Sequence, residues 1–239
     1  AYAARRLGVE AVICMSSLVP ATKVDGRRAL GADIRIVGNS QDDALAESQE
    51  LGKRQGTFEV TPFDDPHVIA GQGTIGLEIL EEVPNLSMLL VPLSGGGLAS
   101  GIALAAKAIN PQIKVIGISM DRGAAMQASL LAGSPQDVEE VPSLADSLGG
   151  GIGMDNKLSF AMCRDLLDDV ILVREEDIYA AMQTLYFEDS HVAEGASAVG
   201  IAALLAGKLP TASGPISTII TGRNVHMADF TKVISGQDM

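Results

Sequence analysis

The chain has 239 residues, 47% of them hydrophobic and 20% charged, so it is long enough to bury a core and too apolar to be disordered. Aromatics make up only 3% and Trp is absent, so aliphatic side chains must fill that core. Seventeen Lys and Arg against 30 Asp and Glu give a net charge of −13, which argues against a nucleic-acid-binding or anionic-membrane surface, and two distant cysteines exclude a disulfide scaffold and favour a reduced, cytoplasmic compartment.

Ala1 to Gly8 reads as the end of an amphipathic helix, with no targeting signal and no initiator Met, so the chain is expected to begin inside a larger protein. Val9 to Met15 is an apolar run expected to form a buried strand. Pro20 to Leu30 follows as a helix with Pro20 near its first turn, then a strand from Asp33 to Val37. Gln41 to Gln55 is a charged helix with Ser40 as N-cap and Gly56 as stop, and Thr57 to Val60 reads as a brief strand. Phe63-Asp64-Asp65-Pro66 is a turn signal at which the character of the chain changes, which places a domain boundary near residue 60.

Val83 to Ala106 is uncharged and long enough to span a bilayer. Its prolines, Asn85, Ser94 and three consecutive glycines fit a strand, a turn and a helix start instead. The expected elements are a strand from Ser87 to Leu93, a helix from Gly97 to Ile109, a strand from Lys114 to Ser119 and a helix from about Ala124 to Leu131. A long irregular loop occupies Ser134 to Gly153. Helices at Asn156–Leu167, Glu175–Phe187 and Ala196–Leu205, strands at Asp169–Val173 and Pro215–Thr221, and a short closing helix complete the pattern. Strands alternating with helices predict an α/β fold, a mostly parallel sheet with helices on both faces.

Gly71-Gln72-Gly73-Thr74-Ile75-Gly76 matches the dinucleotide fingerprint, but no strand precedes it and no acidic residue lies at the ribose distance, so close helix packing is the competing reading. Ser94-Gly95-Gly96-Gly97-Leu98 is better placed, after an apolar strand and before a helix, where converging N–H groups and the helix dipole hold an anion. No Lys follows, which excludes a Walker-type loop; a cofactor phosphate and a purely structural turn both remain open. A side chain at Gly96 is expected to fill the space where the backbone approaches the phosphate. Thr221 sits where the last strand ends, the usual position of ligands in open parallel sheets, though from sequence alone a helix cap is the slightly favoured reading. Glu194 precedes an apolar helix, either as a charge at its N-terminus or as a carboxylate facing a site. His67, His191 and His226 are scattered without metal-ligand spacing.

Taken together, Phe63-Asp64-Asp65-Pro66, Val68 to Thr74 and Val91 to Leu98 resemble the threonine dehydratase and serine racemase group of pyridoxal-phosphate enzymes, and the resemblance runs over nearly the whole chain. Arg223 and the loop from Leu144 to Gly151 look most like the hydroxyectoine-utilisation dehydratase branch. The resemblance implies a two-domain fold type II architecture like the tryptophan synthase β subunit, with residues 1–60 as the remainder of the small domain and 61–239 as the large cofactor-binding domain. It implies that Ser94, Gly95, Gly96, Gly97 and Leu98 hold the phosphate of pyridoxal 5′-phosphate and that Thr221 offers its hydroxyl to the pyridine nitrogen. Asp146 and Ser147 would line the substrate side, with Ser147 also counted against the cofactor, and Glu194 would sit near the Schiff base. The Schiff-base lysine of the family is absent from this chain, in which no Ser-Phe-Lys segment occurs. Ser119 and Ala125 replace the acidic cation ligands of serine racemases, so no metal site is expected. The parent would be a cytoplasmic homo-oligomer acting on a small amino-acid substrate, removing water and then ammonia, with a plain threonine or serine ammonia-lyase and a non-catalytic phosphate-ligand-binding protein as alternatives.

Overall fold

The computed structural model describes residues 1–19 and 21–237; the expectation for Pro20 lies outside them. The chain divides into two compact units, Ala1–Val60 and Thr61–Met239.

The first unit contains helix α1 (Tyr2–Leu7), strand β1 (Val12–Met15), helix α2 (Ala21–Ala29), strand β2 (Asp33–Ile36) and helix α3 (Gln41–Gln55). Strands β1 and β2 pair in parallel from Val12 opposite Asp33 to Met15 opposite Ile36, with α2 as the crossover. Helix α3 starts where its sequence says it should. Ser40 Oγ accepts from the Asp43 N–H, the Asp43 carboxylate accepts from the Ser40 N–H, and Gly56 ends the helix at φ 66°. No strand forms at residues 57–60. Phe58 and Val60 are 83% and 68% exposed, because these apolar residues find no neighbouring strand to pair with.

The second unit contains α4 (Pro66–Glu82), β3 (Met88–Pro92), α5 (Gly97–Ile109), β4 (Lys114–Met120), α6 (Ala125–Ala132), a 3₁₀ turn at Asp146–Leu148, α7 (Ser159–Leu166), β5 (Asp169–Val173), α8 (Glu175–Phe187), α9 (Gly195–Leu205), β6 (Ile216–Thr218) and α10 (Met227–Ile234). The four strands form one parallel sheet in the order β5-β4-β3-β6. Strand β3 is buried along its whole length, which is why its sequence is an unbroken apolar run. Met88 and Leu90 face one core together with Ile116, Ile118 and residues of α8, α9 and α10. Leu89 and Val91 face a second core with Val115 and residues of α4, α5, α6 and α7. The sheet is therefore covered on both faces, as an α/β fold requires. Among the described residues no helix is long and apolar enough to cross a membrane.

Helix α4 holds the Gly71–Gly76 motif in its interior. Asp65 Oδ1 accepts from the His67 and Val68 N–H groups to start the helix, and Pro66 occupies its first turn. A Cβ on Gly73 would stand 3.1 Å from the Gly101 carbonyl oxygen, and one on Gly76 would stand 2.9 Å from that of Ile102. The motif is thus a small-residue face for close packing of α4 on α5, and the dinucleotide reading falls. Strand β6 ends at Thr218 rather than Thr221, because its pairing with β3 stops at Leu90 opposite Thr218. Helix α7 begins at Ser159 rather than Asn156, since the N–H groups of Lys157, Leu158 and Ser159 turn to the Asp64 carboxylate.

Candidate functional site

Strands β3 and β6 are parallel neighbours, so the loops that leave their carboxyl ends lie side by side. The loop after β3 is Ser94 to Gly96; the segment after β6 runs through Thr221. This is the edge at which ligands gather in open parallel sheets.

The glycine loop turns straight into α5. Its N-cap, Gly96, adopts φ 89°, a left-handed conformation that favours glycine, and no side chain caps the helix. Among the described residues no acceptor meets the N–H groups of Gly97, Leu98 and Ala99. A 13-residue helix thus presents unspent donors at its positive end, where an anion is the natural partner.

The loop is held from behind. A Cβ on Gly95 would overlap the Phe63 ring, and one on Gly97 would stand 2.8 Å from Phe63 Cα. A Cβ on Gly96 would stand 2.8 Å from both Cys163 Sγ and Met126 Cε. A side chain at Gly96 would therefore invade the packing behind the loop, not the ligand space in front of it. The Ser159 hydroxyl donates to the Gly95 carbonyl at 2.7 Å and accepts from Asn156 Nδ2 at 2.8 Å. Asp64 then locks this frame. Its carboxylate accepts from the N–H groups of Lys157, Leu158 and Ser159, each at 2.8 Å. Burial pushes the Asp64 carboxyl up, but these donors and the Ser159 side chain outweigh it and hold it below its ordinary range. Burial alone pushes the Cys163 thiol up to about 12. The four residues of the Phe63-Asp64-Asp65-Pro66 segment divide the local structure between them. The Phe63 ring packs under the glycines, Asp64 caps α7, Asp65 caps α4 and Pro66 starts it.

At the second loop, Thr221 Oγ1 lies 3.0 Å from the Ser197 hydroxyl, which also donates to the Gly222 carbonyl and accepts from the Gly222 N–H, both at 2.8 Å. The Glu194 N–H donates to the same carbonyl at 3.2 Å. Gly222 has no side chain where the Glu194 carboxylate comes in: a Cβ there would stand 2.5 Å from Glu194 Oε1. A Cβ on Gly195 would overlap the Leu144 carbonyl, so the Leu144–Ala145 backbone lies directly on the start of α9. Glu175 fixes that loop by accepting from the Ser143 hydroxyl and, at 2.9 Å, from the Leu144 N–H.

The fold therefore joins Glu194 and Thr221 through Ser197 and the Gly222 backbone and puts Ser94 to Leu98 at the end of the neighbouring strand; Asp146 is exposed, next after the Leu144–Ala145 backbone that packs on the start of α9. Ser147 is exposed and, among the described residues, forms no hydrogen bond to either loop. Among the described residues no group of three His, Cys, Asp or Glu side chains could hold a metal ion. Sequence reasoning did not single out Ser159, Cys163 or Ser197. Their partners lie 24 to 67 positions away, so no local pattern marks them. The donors at the start of α5 can hold an anion, and the exposed Thr221 hydroxyl can meet a hydrogen-bonding group.

Residues 1–222 match the family model of pyridoxal-phosphate dependent enzymes. Over 235 residues the chain is 54% identical to a protein of Sinorhizobium fredii provisionally named a threonine dehydratase, covering 98% of this chain and 71% of that protein. It is 39% identical over 235 residues to the L-threonine ammonia-lyase of Thermotoga maritima, covering 98% of this chain and 58% of the lyase. Among solved structures, maize serine racemase superposes with a TM-score of 0.88 at 32% identity, over 98% of this chain and 72% of the racemase. The processed threonine deaminase isoform 2 of Solanum lycopersicum superposes at 0.86 with 34% identity, over 98% of this chain and 64% of the deaminase. The chain thus spans well under the full length of the proteins it matches.

Proposed function

Because the chain belongs to the pyridoxal-phosphate dependent enzyme family, we propose that it forms the larger part of a lyase that removes water and then ammonia from a hydroxy amino acid or a hydroxyectoine-derived compound. The observation that supports this reading is the uncapped N-terminus of α5 just after β3, whose parallel neighbour β6 leads on to Thr221. In this reading residues 1–60 are the remainder of a smaller domain, and 61–239 are the large cofactor-binding domain of a cytoplasmic homo-oligomer. No lysine of these residues links the cofactor in this reading, since none lies in a Ser-Phe-Lys segment.

Bound pyridoxal phosphate supplies the electron sink that makes the substrate α-proton acidic. The chain's own residues do the rest. Backbone N–H groups at Gly97, Leu98 and Ala99 bind the phosphate, with Ser94, Gly95 and Gly96 shaping the turn that leads to them. The Thr221 hydroxyl orients the ring by meeting its nitrogen. A hydroxyl cannot protonate that nitrogen as a carboxylate would, so the sink stays weak and prompt elimination is favoured over side reactions. Glu194 would sit beside the bound cofactor, and Asp146 and Ser147 would line the substrate side.

The hydroxyectoine assignment is supported by the resemblance carried by Arg223 and the 144–151 loop. The second reading, a threonine or serine ammonia-lyase with no ectoine role, is favoured by the names of the similar proteins. Incubating the full-length gene product with L-threonine, L-serine and a hydroxyectoine-derived hydroxy amino acid, and measuring ammonia and keto-acid release, separates them. Turnover confined to the third supports the first reading, and preference for threonine or serine supports the second. Cofactor binding with no release from any of the three would leave the non-catalytic binder.

A further inference from the structure

Ser197 lies in the first turn of α9 with its side chain 0% exposed. Its hydroxyl has three partners: Thr221 Oγ1 at 3.0 Å, the Gly222 carbonyl at 2.8 Å and the Gly222 N–H at 2.8 Å. A serine hydroxyl has one proton and two lone pairs. The Gly222 N–H takes one lone pair, so the proton goes either to the Gly222 carbonyl or to Thr221.

The two arrangements differ in what Thr221 offers. If Ser197 donates to Gly222, Thr221 donates to Ser197 and turns a lone pair outward. If Ser197 donates to Thr221, the Thr221 proton is released to point outward. The Gly222 carbonyl is not stranded by that change, because the Glu194 N–H still donates to it at 3.2 Å. Both arrangements therefore leave the buried Ser197 hydroxyl and the Gly222 backbone paired, while the exposed Thr221 hydroxyl is free to turn either way.

We infer that Ser197 is a positioning residue that sets the direction of the Thr221 proton, so that Thr221 donates to a ring nitrogen without leaving its own oxygen unsupported. This rests on the reading of Thr221 given above. Ser197 is buried behind Thr221 and acts through it; it is not a catalytic residue. Its contribution to holding the cofactor passes through the Thr221 hydroxyl and disappears when that hydroxyl is removed.

A double-mutant cycle on the full-length gene product tests this, with pyridoxal phosphate affinity read by equilibrium dialysis and the absorbance of the bound cofactor recorded alongside. Ser197→Ala is expected to weaken binding about fivefold, the loss of one net hydrogen bond. In a Thr221→Val background the same change is expected to have no further effect. Equal weakening in both backgrounds, or none in either, overturns the inference while leaving Thr221 in place. If Thr221→Val alone changes neither affinity nor absorbance, the reading of Thr221 itself fails and takes this inference with it. Should Ser197→Ala not fold, Ser197→Cys, which leaves a weaker donor in nearly the same volume, replaces it in the same cycle.

Discussion

Thr221 is the residue at which packing and chemistry separate most cleanly. If its hydroxyl meets the pyridine nitrogen, Thr221→Asp places a carboxylate there and favours the protonated ring, since a nearby opposite charge stabilises the charged form. The stronger electron sink should raise racemisation or transamination by-products relative to elimination, even if total turnover falls. Thr221→Val should cost activity with little loss of melting temperature. An unchanged product ratio in Thr221→Asp, measured beside the melting temperature, removes Thr221 from the site. Cys163 gives a second prediction at this scale. Its thiol is buried against the glycine loop and pushed up to about 12. The thiolate is the reactive form, so Cys163 should resist alkylation in the native protein at pH 8 and react only on unfolding, while the half-buried Cys14 reacts first. Native-state labelling of Cys163, read by peptide mass, contradicts this packing.

At the scale of elements, the Gly71–Gly76 motif is a contact between helices. Gly76→Ala would push a Cβ to 2.9 Å from the Ile102 carbonyl oxygen and should destabilise the protein by about 1 to 3 kcal/mol. Gly71→Ala meets nothing within 4 Å and should stabilise it by up to about 1 kcal/mol through helix propensity. Equal effects of the two in denaturant titrations would contradict the packing assignment. Asp64 makes an element-scale prediction with a pH sign. Its native carboxyl is held below the ordinary range, so its capping contribution is present above the unfolded value and is lost as pH falls through the native one. Asp64→Asn should cost about 1 kcal/mol at neutral pH, with the gap closing below about pH 4. A gap that stays constant into acid would place the stabilisation elsewhere. Elements punctuated by their own residues were readable in the sequence. Gln41–Gln55 has its capping box, Gly97–Ile109 its glycine start, and Glu175–Phe187 its acidic first turn. Helix α4 was readable only at the Gly71–Gly76 motif, as close helix packing; its bounds were not, because glycines inside a helix weaken its local signal until the partner helix that requires them is known. Thr57–Val60 has strand residues but no strand beside it, and pairing is a long-range property that local sequence does not contain.

Across the whole second unit, alternation of strands and helices was enough to give a parallel sheet covered on both faces, and the buried run of β3 marked its centre. The strand order was not readable, and it is what brings the loop after β3 beside the loop after β6. The glycine loop was visible because three glycines between a strand and a helix are locally distinctive. The frame that supports it, from Asp64 through Ser159 to the Gly95 carbonyl, spans 95 and 64 residues of sequence and emerges only from the fold. That frame also decides how the phosphate cup should be tested. Substitutions at Gly95, Gly96 or Gly97 strike Phe63, Cys163 or Met126 and confuse binding with folding.

Ser94 is half-buried at the start of the loop and already carries a side chain, so Ser94→Asp adds a negative charge two residues before the α5 N-cap without placing a side chain at any of the three glycines. Equilibrium dialysis of pyridoxal phosphate against the full-length gene product and this variant, with the melting temperature of each cofactor-free protein as control, is the most direct measurement. The phosphate-cup assignment predicts binding weakened by more than about tenfold, from repulsion between the carboxylate and the phosphate, at an unchanged melting temperature. Unchanged cofactor retention in a folded Ser94→Asp protein would contradict it.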